Sequence, residues 1–180
     1  MRNFIAIIII LTICCCKTNH PKEDTEAVFS PGLVECNLLN METVDSIKKP
    51  DCINKIPSSD YLFLSGLLSN PKMETTFDAQ PPFIFIKFNS IRYILGKNRV
   101  IETENKKMII SEFDDYRIKC IIHFYDFIDQ ESLRLLPEIK RFGMPADYQF
   151  IPSVPHKPTR PFVKIVLQEQ LCTTNRESLQ

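Results

Sequence analysis

The sequence predicts an α+β domain: an antiparallel β-meander sheet of about five to six strands with one or two helices packed on one face. Three observations carry that expectation. Apolar side chains alternate with period two over much of residues 83–127, and polar turns interrupt them about every eight to twelve residues. A stripe at helical spacing follows over residues 130–142, and alternation returns over 162–171. With 44% hydrophobic and 24% charged residues in a chain of 180, the composition suits one folded domain and excludes a disordered chain.

Taken in order, residues 33–47 place Leu33, Val34, Leu38, Leu39, Met41, Val44 and Ile47 at roughly helical spacing, and Lys48-Lys49-Pro50 supplies terminal cations and a breaker. A short helix is expected there. The run 61–68, YLFLSGLL, fits a strand covered on both faces or a buried helical turn, and its length favours the strand. From Phe83 the alternation is regular, and it continues apolar through Leu95 to Gly96-Lys97-Asn98, which reads as a hairpin turn. Residues 99–103 return from that turn. A polar turn at 104–107, a strand over 108–113, a turn at Asp114-Asp115 and a long strand over 116–127 complete the meander. Residues 130–142 form an amphipathic helix carrying Leu133, Leu136 and Ile139, kinked or ended early by Pro137 and stopped by Gly143. Five prolines between 145 and 161 predict an extended surface segment before the last strand.

The N-terminus is a different kind of text. Arg2 precedes an apolar run over residues 4–13, about half the length a membrane-spanning helix needs, and Cys14-Cys15-Cys16 follows. Ile13-Cys14-Cys15-Cys16 resembles the processing box of bacterial lipoproteins, an aliphatic residue three places before the acylated cysteine. The resemblance implies cleavage before Cys16, with Leu11-Thr12-Ile13-Cys14 as the other registration and Cys14 as the other lipid acceptor. An ordinary signal peptide with incidental cysteines is the bland alternative. The resemblance covers residues 1–16 as signal and implies an exported protein, lipid-anchored in the bacterial cell envelope to the inner or outer membrane. Residues 17–32 read as a polar tether, 33–172 as the domain and 173–180 as a tail. Lys22-Glu23-Asp24 resembles the charged export signal of some surface lipoproteins, although a solvated linker explains it as well.

Chemistry is sparse. Equal numbers of basic and acidic residues, 22 each, remove the simplest electrostatic case for nucleic acid as a partner. Cys36, Cys52, Cys120 and Cys172 form an even set in an exported chain, with 36–52 and 120–172 the favoured pairing and four thiols the alternative. No Cys-x-x-Cys, EF-hand loop, phosphate-binding glycine loop or His-Glu-x-x-His motif exists, so no metal or other cofactor is expected. His123 is the one histidine inside an expected element. On a strand it would point away from Asp126, so a catalytic pairing of the two is not expected. Arg117, Lys119, His123, Tyr125 and Phe127 would instead share the outer face of the strand over 116–127, a mixed basic and aromatic binding patch. The expectation is therefore a binding, inhibitor or immunity-type, or accessory assembly protein with a protein partner. The alternative is an envelope hydrolase using His123 with nearby carboxylates, and a cavity converging on His123 with a carboxylate in hydrogen-bond reach would favour it.

Overall fold

A computed structural model describes residues 24–30, 39–69, 73–152 and 162–170. The domain is α+β, as expected, but its sheet is larger than a five- or six-strand meander and is mixed. Seven strands lie in the order β2-β7-β1-β3-β4-β5-β6: β1 (Thr25–Phe29), β2 (Cys52–Pro57), β3 (Phe83–Phe88), β4 (Ile91–Gly96), β5 (Val100–Glu102), β6 (Lys107–Ile109) and β7 (Val163–Gln170). Only the β2–β7 pair is parallel; the other neighbours are antiparallel.

The pleat divides the sheet into two unlike faces. Ala27, Phe29, Ile84, Ile86, Leu95 and Ile165 point to the main core. There they meet Leu64 and Leu68 of α2 (Ser58–Ser69) and Ile118 and Ile121 of α3 (Glu112–Ile121). Behind α3, Tyr116, Tyr125, Leu133 and Ile139 make a further cluster with α4 (Gln130–Leu135) and α5 (Pro137–Phe142). On the opposite face Val28 and Phe85 pack with Leu39, Ile47 and Phe162 beneath the short helix α1 (Met41–Ser46).

Several elements depart from the expectation, each for a local reason. Residues 25–29, inside the expected tether, form β1 in the middle of the sheet, because Ala27, Val28 and Phe29 are apolar enough to be covered on both faces. The expected strand at 61–68 is helix α2, whose Tyr61, Leu64 and Leu68 recur at helical spacing and are buried while Leu62 faces solvent. The single run from Phe83 to Leu95 is two strands joined at Asn89-Ser90, both with positive φ (48° and 64°), the backbone of a two-residue hairpin. The hairpin at 96–99 appears as expected.

The largest correction lies at 112–127, where α3 and a 3₁₀ turn (Phe124–Phe127) replace the expected turn and strand. Ser111 Oγ caps the helix by accepting from Asp114 N at 3.0 Å, and Glu112, Asp114 and Asp115 crowd the positive end of the helix dipole. Further on the expectations hold better. Pro137 splits residues 130–142 into α4 and α5, with Leu136 extended between them (ψ 135°), and Gly143 closes α5 at φ 93°.

Candidate functional site

Two residues beyond the end of α3, His123 takes a left-handed conformation (φ 56°) and leads into the 3₁₀ turn that brings Asp126 back beneath it. His123 Nδ1 lies 2.9 Å from Asp126 Oδ2. The other carboxylate oxygen of Asp126 accepts from Gln149 N at 3.3 Å, and its carbonyl oxygen accepts from Ile151 N at 2.6 Å. Asp126 is 5% exposed, so the His123 ring is tied to a fixed carboxylate rather than to a mobile one. With Nδ1–H donated to that carboxylate, the neutral ring keeps its lone pair on Nε2, the tautomer a general base needs.

A cavity of about 380 Å³ opens beside this pair, between the end of β2, the start of α2, the end of α3 and the loop at 145–147. Arg117 and Asp60 form an ion pair at 3.3 Å in its wall, and the Arg117 guanidinium stacks 3.8 Å from the centre of the Phe63 ring. Lys55 and Asp147 add one charge of each sign. The Cys120 side chain also lines the space, but burial pushes its thiol up to about 11, only partly offset by a hydrogen bond with Tyr116. A thiol held protonated at neutral pH is a poor nucleophile. The arrangement therefore offers a histidine oriented by a carboxylate and a charged wall, and its thiol is not an activated nucleophile.

The expected binding patch is dispersed, because a helix followed by a 3₁₀ turn does not keep alternate residues on one face. Tyr125 is 1% exposed and Phe127 8%, both in the core, and Lys119 turns to Asp115 at 2.8 Å. Arg117 and His123 alone meet, at the cavity. The pairing of His123 with Asp126 reverses the expectation that they face apart: three residues apart is a neighbour distance once the backbone is coiled. Asp60 and the 145–151 loop were not signalled by any motif. Among the described residues Cys52 and Cys120 form no disulfide. Their expected partners Cys36 and Cys172, like Cys14 and Cys16, lie outside the described residues.

Among the described residues no group of three or more His, Cys, Asp or Glu side chains is placed to hold a metal ion, and no helix is long and apolar enough to cross a membrane. Comparison of the chain with family models, curated proteins and solved structures finds no match.

Proposed function

We propose that the chain is an exported, lipid-anchored envelope protein whose domain hydrolyses a small ester-type substrate with His123 and Asp126 as its acid–base pair. The observation that carries the catalytic half is the 2.9 Å contact between His123 Nδ1 and Asp126 Oδ2 in the wall of a cavity. Nε2 takes a proton from water as the oxygen attacks the acyl carbon, and the imidazolium so formed is stabilised by Asp126. The same proton is then returned to the departing alkoxide, leaving an acid and an alcohol. Arg117, held by Asp60 and Phe63, supplies positive potential for the oxyanion formed on the way.

The test is release of nitrophenol from short-chain nitrophenyl esters by protein extracted from membranes. His123→Gln should lower the rate about a hundredfold or more. Asp126→Asn should lower it at least as much, because the amide keeps the ring in place but takes the lone pair away from Nε2. Wild-type protein no faster than buffer, or a fully active His123→Gln variant, would overturn the reading.

The anchor rests on Arg2, the apolar run at 4–13 and the cysteine cluster. Cells grown with labelled palmitate should mark the protein, and Cys16→Ser should abolish the mark. A mark lost instead in Cys14→Ser moves the processing site, and a soluble unmarked protein removes the anchor.

A binding role is the second reading, and β2 favours it. This strand ends the sheet with Ile53 59% exposed, and among the described residues no strand pairs with its outer edge, the arrangement that strand addition by a partner uses. Ile53→Glu should abolish partner co-purification under this reading and leave ester hydrolysis unchanged under the first.

A further inference from the structure

The sheet face beneath α1 holds a second cavity, of about 220 Å³, that shares no residue with the His123 site. Its charges are unevenly matched. Glu26, Lys87 and Arg92 stand side by side on β1, β3 and β4. Glu26 is engaged by Lys164 at 3.0 Å, a buried lysine that also donates to Ile47 O at 3.3 Å. Arg92 is engaged by Asp45 of α1 at 3.1 Å. Lys87 is left between them, with no ion pair among the described residues, opposite Glu26 on one side and the cation Arg92 on the other. Like charges opposed across neighbouring strands repel. Lys48 on the rim adds a further cation, so the lining carries four basic side chains against two acidic ones.

The rest of the wall is apolar: Val28 and Phe85 from the sheet, Met41, Val44 and Ile47 from α1 and its end. A cation beside low-dielectric walls attracts an anion more strongly than the same cation on an open surface. We propose that this cavity binds a small organic anion, a carboxylate or phosphate head on an apolar body. The head sits on Lys87, where it relieves the repulsion with Arg92, and the body lies against Val28, Phe85 and Val44.

Calorimetric titration of the full chain tests this with phenyl phosphate and benzoate as whole probes and with phenol and inorganic phosphate as their separate halves. A whole probe should bind, with each of its halves at least about tenfold weaker, and Lys87→Gln should weaken it about tenfold. Because Lys87 is half-buried and has no ion-pair partner among the described residues, that variant should unfold at or slightly above the wild-type midpoint, which separates lost binding from lost folding. The stronger of the two whole probes identifies the head. His123→Gln should bind both as wild type does, so this site stands or falls apart from the proposed hydrolysis. No heat with either anion, phenol binding as tightly as the whole probes, or an unweakened Lys87→Gln variant would overturn the proposal.

Discussion

Residues 83–102 and 112–127 look alike as text and fold differently. Both are rich in Ile, Phe and Tyr, and both alternate apolar with polar side chains. The first becomes the β3-β4-β5 meander and the second a helix and a 3₁₀ turn. In the second, the same residues satisfy two periods. Ile118, Cys120, Ile122 and Phe124 read as one face of a strand, while Ile118, Ile121, Ile122 and Tyr125 read as one face of a helix, and these last four are the buried ones. What decides is upstream: Ser111 followed by three acidic residues is a helix start, and the first segment has turn residues at its borders instead. Apolar periodicity says that a segment is buried, and the capping chemistry says in which form. The catalytic proposal depends on this decision, because His123 and Asp126 meet only on a coiled backbone.

The strongest way to break the comparison is to truncate Tyr125. In the helical reading it is a core ring, stacked 5.9 Å from Tyr116, and Tyr125→Ala should cost about 3 to 5 kcal/mol in urea unfolding. Phe124→Ala should cost less, because that ring is only half-buried, although it touches Phe29 at 5.2 Å. The reverse order would restore the strand and separate His123 from Asp126.

The meander has its own test at Gly96. A Cβ there would overlap the backbone nitrogen of Gln80 and lie 2.8 Å from its carbonyl oxygen, which already accepts from Lys97 N. Gly96→Ala should therefore destabilise by about 1 to 3 kcal/mol, by overpacking against backbone that cannot step aside. An unchanged midpoint would show that the segment ahead of β3 can shift away from the hairpin.

This pair also shows what could be read from the chain. Gly96-Lys97-Asn98 announces its turn with the residues that turns require, and so do Asp129 as a helix cap and Pro137 as a break. Asn89-Ser90 hides a turn inside an apolar run because Ser90 carries no mark of its positive φ, and β1 hides in a polar stretch because five residues are too few to show a period. The cavity beneath α1 was not legible at all. It needs β7, β1, β3 and β4 brought side by side from across the chain, and no local spacing records that order. The His123 cavity was half legible: its histidine stood out, but the partner depended on the wrong period.

A smaller effect tests the cap itself. Ser111→Ala removes the oxygen that accepts from Asp114 N and should cost about 1 kcal/mol, while Ser111→Gly should cost only a few tenths. If capping decides the form of the 112–127 segment, Ser111→Ala should also slow any His123-dependent hydrolysis more than Gly96→Ala does, measured well below both unfolding midpoints. Equal slowing would mean that activity follows overall stability and not the ordering of α3.

The smallest effect is one of slope, and it separates two acids of the helical region. Asp115 opens α3 but turns inward, and its carboxyl is raised by burial, an effect that the charge and hydrogen bond of Lys119 only partly offset. One of its oxygens has no hydrogen-bond partner among the described residues. A carboxyl raised on folding contributes stability that is present below its unfolded value, near 3.8, and is lost as pH rises through the raised folded value. Asp129 is the opposite case. It caps α4 in the open, and the hydrogen bonds from Ser132 lower its carboxyl. Its contribution is present above its unfolded value and is lost as pH falls through the lowered one. Unfolding midpoints across the acid range should therefore diverge in two directions. Relative to Asp115→Asn, the wild type should lose ground as pH rises; relative to Asp129→Asn, it should gain. Slopes of the same sign would mean that Asp115 is solvated like Asp129, and that the first turn of α3 is exposed on the side that the core requires to be covered.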